Sequence, residues 1–189
     1  MTTVPAARSP RRYDPERKSR IIDAAIDVIA EHGVAGTTSR RIAAAADVPL
    51  GSLTYHFTNL EDLLTQAFQR FAEGISPRYE ARFADVRDLA GFVDAVTTLI
   101  SGDADQDPRE WAVSYELYLA ALRNPALRNV TESWMRRSRS VLERFVDPVT
   151  ARGVDALIEG LVMHIMLATT KFSRAETRTI VARFVGIPA

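Results

Sequence analysis

Between Gly36 and Leu64 the chain reads GTTSRRIAAAADVPLGSLTYHFTNLEDLL, and this stretch concentrates the groups able to do chemistry. It holds the hydroxyls of Thr38, Ser52 and Thr54, the guanidinium groups of Arg40 and Arg41, the Tyr55 phenol and the His56 imidazole. Nothing in it pairs a nucleophile with a base. The chain has no cysteine, and it shows no metal-ligand spacing, nucleophile elbow or phosphate-binding glycine loop. Of its three histidines, His32 falls at a helix end, His56 belongs to this stretch, and His164 has only Glu159 as a sequence-near carboxylate. The expectation is therefore a binding protein without a cofactor, not an enzyme. Charge says what would be bound. The whole chain is balanced, with 24 basic and 24 acidic residues, but residues 1–20 carry six basic against two acidic side chains and residues 61–130 seven against twelve. A polyanion would be met by the N-terminal part.

The elements that must hold these groups are helical. Residues 1–13, with Arg8, Arg11 and Arg12, read as a flexible basic arm. Asp14 then serves as N-cap and Pro15 as first helical residue; Ile21, Ile22, Ala25, Ile26 and Ile29 share one face, and Gly33 closes the helix. Thr38 caps a second helix over Ser39–Ala46, Asp47 takes a left-handed turn position ahead of Pro49, and a third helix covers Leu50–His56. Its Leu53, with Phe57, anchors it. Asn59 caps a fourth helix reaching Gly74 or, kinked at Pro77, further. Later stripes are Leu89, Phe92, Val93, Val96 and Leu99; Trp111, Tyr115, Tyr118, Leu119 and Leu122; and Val130, Trp134, Val141, Leu142 and Phe145. A last helix, Val154 to Lys171, is apolar on nearly every side and must be covered all round, within the chain or by a second copy. The reading is all-α. No run approaches the ~20 apolar residues of a membrane helix and no signal-peptide core opens the chain, so a cytoplasmic protein without a membrane partner is expected.

Two short helices joined by four residues over Ser39–His56 have the dimensions of a helix-turn-helix, although such pairs also occur as plain packing units. The order helix, Gly-Thr-Thr loop, Ile-Ala-Ala helix and Leu-x-Tyr-His-Phe resembles the TetR family of bacterial transcriptional regulators, most strongly over Pro15–Leu64. The resemblance implies a three-helix DNA-binding domain at 14–58, behind the 1–13 arm, and a helical ligand-binding and dimerisation domain at 59–189. It implies that Thr38, Arg40 and Arg41 grip phosphate and that Leu50, Gly51, Ser52 and Thr54 face the bases of a double-stranded operator. Tyr55 and His56 match a pair that binds backbone phosphate, or else pack the third helix on the first. Two positions depart from the pattern: Asp47 stands where glycine is common, and Leu60 where a lysine reaches phosphate.

The same resemblance implies a homodimer built on the last two long helices, about Val130–Val146 and Val154–Lys171. That face includes Trp134, Val141, Leu142, Phe145, Leu157, Leu161 and Ile165. A small organic effector would sit among the middle helices, against Phe92, Trp111, Tyr115, Tyr118, Met163, His164 and Met166. The expected function is a repressor released from a pseudo-palindromic operator by that effector. A ligand-independent regulator or activator of the same fold, and a purely structural helical protein, stay open on sequence grounds.

Overall fold

The structure, a computed structural model, describes residues 14–102, 107–170 and 172–188. The arm at 1–13 lies outside the described residues. Among those described, nine helices and no strand occur: α1 Arg17–Gly36, α2 Ser39–Ala45, α3 Gly51–His56, α4 Leu60–Ala81, α5 Leu89–Ser101, α6 Pro108–Ala121, α7 Pro125–Leu142, α8 Pro148–Leu167 and α9 Arg174–Phe184. The fold is all-α, with an N-terminal helix-turn-helix domain ahead of a larger helical one.

Local chemistry sets most of these limits. Asp14 Oδ1 accepts the Glu16 N–H at 3.1 Å, and α1 starts just beyond. Gly33, at φ 65° and ψ 172°, interrupts α1, and a last short turn carries it to Gly36. The Thr38 hydroxyl oxygen accepts the Arg41 N–H at 3.3 Å and caps α2. Asp47 takes φ 51°, the left-handed turn expected of it. Asn59 Oδ1 accepts the Asp62 N–H at 2.8 Å, and Asp62 Oδ2 accepts the Thr58 N–H at 2.9 Å. These two bonds launch α4, which continues through Pro77 to Ala81.

Packing divides the interior into two apolar clusters. In the first, Ile21, Ile29, Ile42, Leu53, Phe57, Leu63 and Phe68 of the N-terminal part meet Val113 and Leu117 of α6 and Leu127 and Val130 of α7. The second joins Phe83, Phe92, Val96, Ile100, Leu142, Val154, Ile158 and Val181. Helix α1 lies against α2, α4 and α6, and α4 crosses α7. Leu60, where a phosphate-reaching lysine was expected from the resemblance, is half-buried against the first cluster, so α4 starts on packing at that position.

Several expectations change. Helix α9 was not foreseen; its Ser173–Glu176 capping box closes with the Glu176 N–H on Ser173 Oγ at 3.2 Å and the Ser173 N–H on Glu176 Oε2 at 2.9 Å. Thr177, Val181 and Ala182 then bury against the second cluster side of the chain. Helix α7 runs Pro125–Leu142 and α8 Pro148–Leu167, because Asn124 and Asp147 cap them with proline at the first turn. On α6 the buried residues are Val113, Ser114, Leu117 and Ala121, whereas Leu119 and Leu122 are exposed. The stripe read from sequence was one of two apolar faces, and packing on α1 selected the other.

Candidate nucleic-acid interface and interior cavity

Helices α2 and α3 stand over the first cluster, with Ile42, Ala43, Leu53 and Phe57 turned inward. What is left outside is the expected set: Thr38, Arg40, Arg41, Leu50, Gly51, Thr54 and Tyr55 are all exposed, and His56 is half-buried. Leu50 at 45% and Tyr55 at 83% are costly apolar exposures that a partner surface would cover. Ser52 is corrected: it is buried at 9%, because it shares the inward side of α3 with Leu53, and its hydroxyl does not face outward. Thr54 Oγ1 donates to the Gly51 carbonyl at 3.1 Å, and the Arg41 guanidinium donates to the Gly36 carbonyl. Tyr55 and His56 meet edge to face at 4.9 Å. Lys18 of α1 lies over the Phe57 ring at 5.5 Å and adds a cation behind α3. The face therefore offers hydroxyls, guanidinium groups and a phenol around a short protruding helix, the donor set that phosphates and groove edges accept.

The second feature lies among the later helices. Residues of α4, α5, α6, α7 and α8 line a partly open cavity of about 600 Å³. Its aromatic walls are Tyr79, Trp111, Tyr118 and Trp134; Glu110 of α6 and Asp155 and Glu159 of α8 supply carboxylates, and Arg78, paired with Glu110, and Arg82 supply guanidinium groups. Trp134 stacks with Tyr118 at 5.7 Å and meets Phe71 edge-on at 6.0 Å. Tyr118 Oη donates to Glu159 Oε1 at 2.8 Å, and Tyr115 Oη donates to the Glu159 carbonyl at 2.8 Å. Glu159 Oε2 is buried and meets no hydrogen-bond partner among the described residues. Burial pushes the Glu159 carboxyl up to about 7; the Tyr118 hydroxyl opposes this and the Asp155 charge adds to it. Burial also raises Asp155, against the pull of the Ser138 hydroxyl at 2.8 Å and of Arg139 at 3.5 Å. The Tyr79 hydroxyl is buried beside Ser138, whose own proton goes to Asp155, and finds no acceptor in bonding geometry. An aromatic box with one unsatisfied carboxylate oxygen suits a flat ligand that brings positive charge and an N–H donor.

The cavity takes in part of the expected pocket wall. Trp111 and Tyr118 line the cavity, and Tyr115 supports Glu159 from alongside. Phe92 is fully buried in the second cluster, stacked on Phe145 at 5.2 Å. Met163, His164 and Met166 are exposed on the last turns of α8, since those turns extend past the cavity. Of the expected dimer face, Val141 and Leu142 are buried within the chain, Phe145 packs on Phe83 and Phe92, and Trp134 is a cavity wall. Leu157, Leu161 and Ile165 are half-buried. The residues missed, Asp155 and Glu159, stand one turn apart on α8, a spacing visible in the sequence.

Known proteins sharpen both features. Residues 21–67 match the family model for bacterial regulatory proteins of the tetR family, and residues 87–187 match that for the tetracyclin repressor-like C-terminal domain. The transcriptional regulator CymR of Pseudomonas putida is 30% identical over 141 residues, 74% of this chain and 68% of its own length. The crystal structure of the regulator-like protein SCO7518 of Streptomyces coelicolor A3(2) superposes with a TM-score of 0.83 at 44% identity, covering 91% of this chain and 99% of that one. The multidrug binding protein EbrR, solved with ethidium, has a TM-score of 0.75 at 36% identity over 91% of this chain and all of its own. It has also been solved with proflavin and with malachite green. No helix among the described residues is long and apolar enough to cross a membrane. With a protruding short helix at one end, a helical domain enclosing a cavity at the other, and both halves matched by their own models, the chain belongs to the TetR family of DNA-binding transcriptional regulators.

Proposed function

We propose that the protein is a homodimeric repressor whose operator binding is relieved by a small aromatic cation held in the interior cavity. The observation that carries this reading is the buried, unpartnered Glu159 Oε2 among Tyr79, Trp111, Tyr118 and Trp134. A carboxylate in that position is costly until a ligand supplies charge and a donor. The dyes bound by EbrR are delocalised aromatic cations, which supports the same chemistry here. Within this reading residues 14–58 hold the DNA, Thr38, Arg40, Arg41, Tyr55 and His56 on phosphate and Leu50 and Thr54 on base edges, while 59–189 senses ligand. A second copy would cover the exposed Met163, Met166 and Leu167 of α8, with Leu157, Leu161 and Ile165 at its margin. Two recognition helices then meet half-sites spaced by whole turns of DNA.

The test is a titration of the full chain onto duplex DNA flanking its own gene, with and without proflavin, alongside a Glu159→Gln variant that separates dye held in the cavity from dye intercalated in the duplex. Sequence-selective binding that weakens about tenfold or more with the dye in the wild type, beyond any change in the variant, supports the reading, within the usual range of allosteric coupling. Equal affinity with and without bound dye overturns the ligand-released repressor in favour of a ligand-independent regulator.

A further inference from the structure

Helix α6 has two differently occupied faces. On one, Trp111, Ser114 and Tyr118 form cavity wall, and Tyr118 is tied to Glu159. On the other, Val113 and Leu117 are buried in the first cluster, and Glu116 Oε2 accepts the Val34 N–H of α1 at 2.8 Å. This bond falls just past the break in α1: Gly33 at φ 65° interrupts the helix, and the amide that follows is held by a carboxylate 82 residues away. A Cβ placed on Gly33 would lie 2.8 Å from Glu116 Oε1, so the carboxylate rests directly on the turn, and the φ of 65° there favours glycine. The turn continues straight into the DNA-facing element. Thr37 is buried, its Oγ1 donates to the Gly33 carbonyl at 2.7 Å, and its N–H donates to the Val34 carbonyl at 3.1 Å. The next residue is Thr38, the cap of α2. A further polar tie between α6 and α1, Arg109 to Asp27 at 3.5 Å, is exposed and weak.

We propose that Glu116 is a positioning residue, the joint through which α6 sets the angle of the helix-turn-helix on the rest of the chain. A shift of α6 on its cavity face moves the Gly33–Thr38 turn through this carboxylate, and with it α2 and α3. The apolar contacts of Val113 and Leu117 hold α6 and α1 together but fix direction poorly; a directional hydrogen bond to one amide fixes it.

The dye arm of the test rests on the repressor reading above; the ligand-free arm does not. Operator affinity of the wild type, Glu116→Ala and Glu116→Gln would be measured by fluorescence anisotropy, alone and with saturating proflavin, with dye affinity and Tm recorded for each and the change seen with Glu159→Gln subtracted as the effect of dye intercalated in the duplex. The expectation is that Glu116→Ala binds the operator about tenfold more weakly without dye. Its dye response should shrink to within about threefold of unity while its dye affinity stays that of the wild type. Glu116→Gln, which keeps an acceptor for Val34, should restore both. If Glu116→Ala matches the wild type without dye, or keeps the full dye response, the joint is overturned and the bond is only packing. If the wild type itself ignores proflavin, the ligand reading fails, and the ligand-free ratio of Ala to Gln decides Glu116 alone: a loss restored by Gln supports the joint, no difference overturns it.

Discussion

Around α2 and α3 the polar and aromatic groups stand outside a sealed apolar cluster, whereas around α8 they are enclosed with a cavity beside them. Tyr55 is among the most exposed large apolar side chains of the described residues, and beneath it Ile42 and Phe57 are packed without a buried charge. At the other end Glu159 and Asp155 are drawn out of water, and both carboxyls titrate above their ordinary range. On the proposed function the contrast separates two kinds of recognition. A partner as large as a duplex can be met on a surface, where protruding groups keep their hydration until contact. A small ligand must be surrounded, and the protein carries the cost of incompletely satisfied groups until it arrives. Helix α6, with one face in each environment, is the element that joins them.

Changes in the sealed cluster should have the largest effect. Phe68→Ala removes a fully buried ring where α4 meets α1, and a loss of about 3–5 kcal/mol in chemical denaturation is expected. Trp111→Ala, at the half-buried cavity wall, should cost clearly less; an equal cost would erase the difference between the two regions.

Glu159→Gln comes next. The folded carboxyl titrates near 7, above its ordinary 4.5, so the folded state binds the proton more tightly than the unfolded one. Wild-type stability contributed by this group is therefore full below about pH 4.5 and is lost as pH rises toward 7, a fall of about 3 kcal/mol. The Gln variant should flatten that fall and be more stable than the wild type at pH 8, while binding proflavin about tenfold or more weakly. Denaturation curves at pH 5 and pH 8 check the first point and dye titration the second; a variant less stable at pH 8 would show that the carboxylate is not strained.

A Thr54→Ala, Tyr55→Ala double variant tests the outer face. With both side chains exposed, Tm should change little, and operator affinity should fall about 30-fold or more with dye affinity intact. Unchanged DNA binding would move the interface away from α3. The mildest comparison is between ligands: proflavin, which carries N–H donors, should bind about tenfold more tightly than fully N-alkylated malachite green, because only the former satisfies Glu159 Oε2. Calorimetric titration of both dyes decides it.

Much of the N-terminal part was readable because its signals are local. Thr38, Asp47 and Asn59 each act on backbone within three residues, so their types and spacing announce the cap or turn that is found. The Ser173–Glu176 box was equally legible and marks α9, although no apolar stripe drew attention to it. Ser52 was misplaced because a hydroxyl in a six-residue helix has no period long enough to show which side faces in.

In the C-terminal part the sequence offered several faces and many carboxylates of equal standing. Leu119 and Leu122 looked as buriable as Val113 and Leu117, and packing against α1 chose between them. Met163, His164 and Met166 had the composition of a pocket wall, yet α8 carries them beyond the cavity. The sequence by itself determined the helical class, the helix-turn-helix with its exposed donors, and the family, since all three rest on contacts close along the chain. Only the tertiary structure decided that Glu159 is the carboxylate out of water and that Glu116 closes on Val34, because burial and an 82-residue contact depend on how whole helices cross.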